Sequence, residues 1–135
     1  MRRLLIPGVL AVGLAVAAIG CGGVNTETTA TTDYTETFTG IVVPAGGNTH
    51  TFSVYQKGAI VMTLTSVGDD NTRIIGMALG NYSGNTCQLA VASDFAFLNV
   101  PVSATVSAAG TLCVRAYDSQ GVPDPTSYTI TVKHP

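Results

Sequence analysis

Residues 126–133, Thr-Ser-Tyr-Thr-Ile-Thr-Val-Lys, decide the fold of this 135-residue chain. Tyr128, Ile130 and Val132 alternate with polar residues, so an extended strand would point all three to one face. The same period of two recurs in three other segments, which are residues 50–56, 59–67 and 111–117. This pattern predicts short, half-buried β-strands rather than helices.

The same pattern, followed through the rest of the chain, predicts seven or eight strands and no helix. Spacing of this kind, with turn residues between the segments, is typical of an antiparallel β-sandwich, here of jelly-roll-like form. Residues 74–79 are apolar on both faces and predict a central strand. Residues 50–56 and 59–67 are separated only by a short turn and are predicted to pair as a hairpin. Pro101 predicts an edge strand or an irregular crossing.

The first twenty residues predict export. Met1-Arg2-Arg3 is followed by an apolar run that is short for a membrane-spanning helix, and the run ends in Ala18-Ile19-Gly20-Cys21. These residues resemble a bacterial lipobox, although Ala18 replaces the large aliphatic residue that usually stands there. We therefore expect a lipoprotein signal peptide (1–20), a flexible tether (21–33) and a β-sandwich domain (34–135), with lipid on Cys21. Ordinary secretion after cleavage near Ala18 or Gly20, and an uncleaved anchor, are the alternatives.

Two cysteines remain after Cys21. Cys87 and Cys113 form an even pair in a chain predicted to reach an oxidising compartment, which favours a disulfide. A metal-binding pair or a reactive thiol is the alternative, and the lack of a nearby His makes a poor zinc site. We expect a disulfide here.

Charge excludes one class of partner. The chain carries six Lys and Arg residues against eight Asp and Glu, and no basic patch is present. Nucleic acid is therefore not expected as a partner.

Two parts of the chain resemble the bacterial pre-peptidase C-terminal domain. Residues 110–118, Gly-Thr-Leu-Cys-Val-Arg-Ala-Tyr-Asp, with residues 128–132 resemble its end, and residues 50–54 with 58–64 resemble its opening hairpin. The resemblance implies a jelly-roll-like sandwich that serves as an accessory domain of secreted enzymes. Many such domains carry acidic residues where this chain has Thr72-Arg73-Ile74-Ile75, and some bind calcium nearby.

Acidic loop residues are the candidate calcium ligands. Asp69, Asp70 and Asn71 offer oxygen donors, but Asp and Asn also bond their own backbone in turns. Asp118 and Asp124 in a later loop allow the same two interpretations, and their distance from Asp69 and Asp70 is not fixed by the sequence. We favour turns, expect no specific metal ion and predict no cofactor.

Histidines and tyrosines supply the other candidates. His50 and His134 are the only histidines, no Gly-x-Ser-x-Gly elbow occurs, and the position of His134 predicts poor order, so we expect no enzyme. Four tyrosines could form an aromatic platform for sugars or could serve in ordinary packing, which we favour: Tyr34, Tyr55, Tyr82 and Tyr117. Arg115 is expected on an outer sheet face.

Together these features predict a lipid-anchored cell-envelope module on the periplasmic or cell-surface side. Its expected role is binding or structural, with the membrane reached through the N-terminal lipid and an envelope protein or glycan as partner. The alternative, implied by the family resemblance, is an accessory subunit that acts beside a separate secreted peptidase or other hydrolase.

Overall fold

The alternating segments form β-strands in the computed structural model, which describes residues 33–135. The eight strands are β1 (Tyr34–Val42), β2 (Gly47–Val54), β3 (Gly58–Val67), β4 (Ile75–Ser83), β5 (Thr86–Ala96), β6 (Pro101–Val106), β7 (Gly110–Tyr117) and β8 (Thr126–His134). No helix able to cross a bilayer occurs within this range. The predicted signal peptide, Cys21 and all of the tether except Asp33 lie outside the described residues.

The strands form two four-stranded antiparallel sheets. One sheet has the order β1-β8-β3-β6 and the other has the order β2-β7-β4-β5. This arrangement is that of a jelly roll, in which eight strands fold as two Greek keys. The predicted antiparallel β-sandwich is therefore confirmed.

The predicted hairpin between residues 50–56 and 59–67 is wrong. β2 pairs with β7, whereas β3 pairs with β6 and β8 in the other sheet. The turn at residues 55–57 carries the chain across the sandwich, so Phe52 and Ile60 face the same interior from opposite sheets. Alternation fixes which face of a strand is buried but does not choose its partner.

Alternate side chains from both sheets fill the space between them. The central strand β8 contributes Tyr128, Ile130 and Val132, each no more than 2% exposed, as the sequence predicts. Leu112, Val114 and Ala116 on β7 lie opposite them. Burial of these rows away from water is the main favourable contribution to folding.

The connections on either side of β5 determine where β5 and β6 lie. β5 runs to Ala96, and the turn before it consists of Gly84 and Asn85, both with positive φ. Beyond β5 the chain crosses to the other sheet and begins β6 at Pro101. Because Pro101 is the first residue of an edge strand, its missing N–H leaves no gap in a central ladder.

A disulfide joins Cys87 on β5 to Cys113 on β7, although β4 lies between these strands. Strands two positions apart in a flat sheet are separated by about 9.6 Å. The Cα atoms of the two cysteines are only 5.8 Å apart, so β5 curls over the outer face of β4. A register shift between Leu79 and Gly80 marks the start of this curl.

Gly80 permits this approach because it has no side chain. A Cβ at Gly80 would overlap the backbone carbonyl of Gln88 on β5. Gly76, four residues earlier in β4, is covered in the same manner by the ring of Tyr117.

Reduction of the disulfide is predicted to destabilise the domain. A sequence separation of 26 corresponds to about 3–4 kcal/mol in the loop-entropy description, or a fall in melting temperature of roughly 12–16 °C at about 4 °C per kcal/mol for a domain of this size. Thermal melts with and without reductant measure the effect. Cys87→Ala/Cys113→Ala should melt at the reduced wild-type temperature and ignore the reductant; a wild type equally indifferent to reductant would contradict the prediction.

Gly80→Ala should destabilise the protein by about 1–3 kcal/mol, because the new methyl group must displace the backbone of β5. Gly110→Ala is the matched control, since nothing lies within 4 Å of a Cβ at Gly110 on β7. Urea unfolding of both variants provides the comparison. Equal midpoints for the two variants would show that β5 does not press on Gly80.

Candidate functional site

Four connections meet at one end of the sandwich, which we call the loop end. They comprise residues 43–46, 68–74, 97–100 and 118–125. The turns at residues 55–57, 84–85 and 107–109 lie at the opposite end. The chain enters β1 from Asp33 at that opposite end, where Tyr34 pairs with His134.

Asp118 holds two of the loops together. One carboxylate oxygen accepts a hydrogen bond from Ala45 N at 2.8 Å, and the other accepts bonds from Gly121 N at 2.7 Å and Val122 N at 2.9 Å. The backbone of Asp118 also donates to Gly46 O at 2.9 Å. These backbone donors, with Ala45 first, lower the pKa of Asp118.

The loop after β3 is a hydrogen-bonded turn, as the sequence analysis favours. Asn71 adopts a positive φ of 57° and its side chain accepts a hydrogen bond from Val67 N at 2.9 Å. Asp70 accepts from both the hydroxyl and the N–H of Thr72, at 2.8 and 3.1 Å, and these bonds lower its pKa. The loop is anchored by Gly68 N, which donates to Ser127 O at 2.7 Å.

A cavity of about 440 Å³ opens at the loop end. The side chains that decide its chemistry are Asp69, Asp70, Asp124 and Arg73, with Ile41 on the apolar side. The fold thus brings Asp124 to the pair Asp69 and Asp70, a proximity that the sequence does not reveal. Asp118 is instead engaged by backbone N–H groups outside this lining.

The lining of this cavity combines charged and apolar groups. Its size falls within the range of small-ligand sites, and it offers carboxylates, one guanidinium and an aliphatic wall. Within residues 33–135, no three His, Cys, Asp or Glu side chains lie close enough to hold a metal ion. The lining contains no His or Cys, so a nucleophile with an adjacent His base is not assembled there.

Both histidines point into the sandwich, where His134 is buried and His50 is half-buried. His50 Nε2 lies 2.8 Å from the hydroxyl of Tyr128, and burial lowers the pKa of His50. His134 is 1% exposed, belongs to β8 and contacts Glu36 Oε1 through Nε2 at 3.1 Å. The expectation of poor order at His134 is therefore wrong, because its ring is buried against Phe52 and Tyr34.

The four tyrosines do not form one platform. Tyr34 and Tyr55 lie together at the opposite end, with ring centroids 5.7 Å apart. Tyr117 lies at the loop end, where its hydroxyl donates to Asp94 Oδ1 at 2.5 Å. Burial and this carboxylate raise the pKa of Tyr117 to about 12. Arg115, as predicted, is exposed on an outer sheet face.

Exposed apolar side chains are the feature of the loop end that the sequence analysis does not anticipate. Ile41, Val43, Phe95, Phe97 and Val100 are each between 50% and 56% exposed. Ile41 and Phe95 are outward residues next to the buried last residues of β1 and β5, and the other three lie in turns. The alternation of apolar and polar residues therefore does not identify them. The Asp118 network has a clearer signal, because Asp followed three residues later by Gly121 is typical of a turn.

No protein-family model matches this chain, and no curated protein matches it closely enough to indicate a relationship.

Asp118→Asn should lower the stability of the protein near neutral pH, because the amide is a weaker acceptor for three backbone N–H groups. The folded-state pKa of Asp118 is lowered, so its contribution is complete above the unfolded-state pKa and is lost as pH falls through the folded-state value. Urea unfolding of wild type and variant should therefore differ near neutral pH, and the difference should disappear as the pH falls through the lowered folded-state pKa of Asp118.

Asp124→Asn is the control for the Asp118 measurement. It removes the same charge from the loop end. The hydrogen bond that Thr126 donates to Asp124 is retained, because its acceptor is the backbone carbonyl of Asp124 and not the carboxylate. The two variants should therefore differ in stability near neutral pH. Equal stability would indicate that the carboxylate of Asp118 does not hold the loops.

Proposed function

We propose that this chain is a lipid-anchored, non-catalytic binding module of the bacterial cell envelope. The observation that carries the proposal is that the point where the chain enters and the exposed features lie at opposite ends of the sandwich. Asp33, where the described chain enters β1, is at one end, whereas the cavity of about 440 Å³ and five half-exposed apolar side chains lie at the other end. A domain tethered through residues 21–33 would thus present its loop end away from the point of attachment.

The sequence supports attachment through Cys21. Arg2 and Arg3 precede an apolar run, and Gly20 supplies the small residue that a signal peptidase accepts before the cleavage point. Lipid on the first residue of the mature protein would hold the domain at the membrane surface. Strong anchoring usually requires more than one acyl chain. A bacterial lipoprotein carries more than one acyl chain on its cysteine.

The interior of the domain supports a role in binding rather than reaction. The hydrogen bonds of His50 and His134 go to Tyr128, Glu36 and the backbone of Pro135. Among the described residues, no buried side-chain nitrogen or oxygen lacks a hydrogen-bond partner. The polar groups of the core are therefore engaged in the fold, and the exposed groups at the loop end remain for a partner.

Cys21→Ser is predicted to move the protein from the membrane fraction to the soluble fraction, or to leave it as unprocessed precursor. Metabolic labelling with a fatty-acid analogue, followed by cell fractionation, measures both effects. Cys87→Ser/Cys113→Ser is the control, because it removes two cysteines but leaves the lipid acceptor. Equal labelling of wild type and Cys21→Ser would overturn the proposed anchoring.

A further inference from the structure

The described charges are divided unevenly between the two ends of the sandwich. The half that carries the loop end contains Arg73, Arg115 and five carboxylates: Asp69, Asp70, Asp94, Asp118 and Asp124. The other half contains two carboxylates and two lysines, and one of these pairs, Lys133 with Asp33, forms an ion pair at 2.8 Å. The net negative charge of the described domain therefore lies at the loop end.

Apolar surface accompanies this charge. Phe97 and Val100 are 56% and 50% exposed in the turn between β5 and β6, and Phe95 precedes them at 54%. On the β1 side of the same end, Ile41 and Val43 are 55% and 50% exposed. Exposed apolar groups among charged residues are typical of protein-binding surfaces.

The backbone beneath these side chains is held in place. In the turn of residues 97–100, Asn99 N donates to Leu64 O at 2.8 Å and Val100 N donates to Phe97 O at 3.1 Å. Val43 accepts from Gly46 N at 2.9 Å, and that turn is bonded in turn to Asp118. A surface already ordered in this manner loses little conformational entropy when a partner binds.

We propose that the loop end is a docking surface for a cationic protein segment in which Lys or Arg residues flank apolar side chains. The inference rests on the proposed binding function and names the chemistry of the partner. The carboxylates attract and orient the cationic groups, while the Phe97 and Val43 sides of the surface bury the apolar ones. Anionic lipids, nucleic acid and a second loop end are all repelled by the same negative charge.

The test uses the purified full chain in neutral detergent and a synthetic peptide that alternates Lys with Phe and Leu. Two comparison peptides replace Lys by Glu or replace the apolar residues by Ser. Binding is measured by fluorescence anisotropy across a range of salt concentrations. Partition of the peptide into micelles is common to all protein variants, so differences between variants report the site.

Val43→Ser/Phe97→Ser should weaken binding of the Lys/Phe/Leu peptide by about tenfold or more, as expected for central contacts. Asp69→Asn/Asp124→Asn should weaken it and reduce its salt dependence. Tyr55→Ser/Leu89→Ser is the matched control, because it removes two apolar side chains that are 69% and 48% exposed away from the loop end. That control should bind like wild type, and all variants should keep the wild-type melting temperature.

Three results would overturn the inference: equal binding of the Glu peptide or the Ser peptide, equal binding by Val43→Ser/Phe97→Ser, or loss of binding in the control. A neutral envelope oligosaccharide that binds the loop end while the Lys/Phe/Leu peptide does not would also overturn it. Membrane fractionation of the cells that express wild type and Cys21→Ser separates the two proposals. Cys21-dependent anchoring without peptide binding contradicts only the docking surface, whereas loss of anchoring contradicts the proposed function.

Discussion

The architecture depends on one topological constraint, which is that six of the seven connections carry the chain from one sheet to the other. Only β4 and β5 follow each other within a sheet. Neighbouring segments of sequence therefore face each other across the core instead of sharing a ladder. Each sheet acquires its backbone hydrogen bonds from strands that are distant in sequence, as between β1 and β8.

This constraint also explains the chemistry of the two ends. Crossing connections must span the thickness of the sandwich, so their residues are carried out of the core, and the polar turn at residues 68–74 and the apolar turn at 97–100 emerge side by side. Asp118 then bonds the first crossing to the last through backbone N–H groups. The loop end is consequently a fixed surface, although it consists of segments from four separate parts of the chain.

The sequence predicts the features that depend on local pattern, but it does not predict the features that depend on which strands pair. The inward rows of β7 and β8, the central position of β4, the disulfide and the turn at Asp70 follow from alternation, redox environment and side-chain chemistry. The pairing partner of β2 cannot be predicted in this way, because Phe52 and Val54 can face a core equally well from a hairpin or from an opposing sheet. The presence of Asp124 and Asp69 in the lining of one cavity is also not predicted, since it requires the register of β8 against β1 and β3. The burial of His134 against Phe52 and Glu36 likewise needs the closed sandwich.

The placement of β8 has a consequence for the order in which the domain can form. β8 follows the other seven described strands in sequence and lies between β1 and β3, so the first sheet lacks one of its two central strands until β8 is present. β7, which separates β2 from β4, arrives only shortly before it. Such long-range pairing is slow, because the entropy of closing a long loop is lost before the stabilising contacts between the strands form. A chain of this topology that crossed a membrane with β1 first could complete neither sheet until β7 and β8 had crossed, so the domain would stay unfolded and competent for translocation until then.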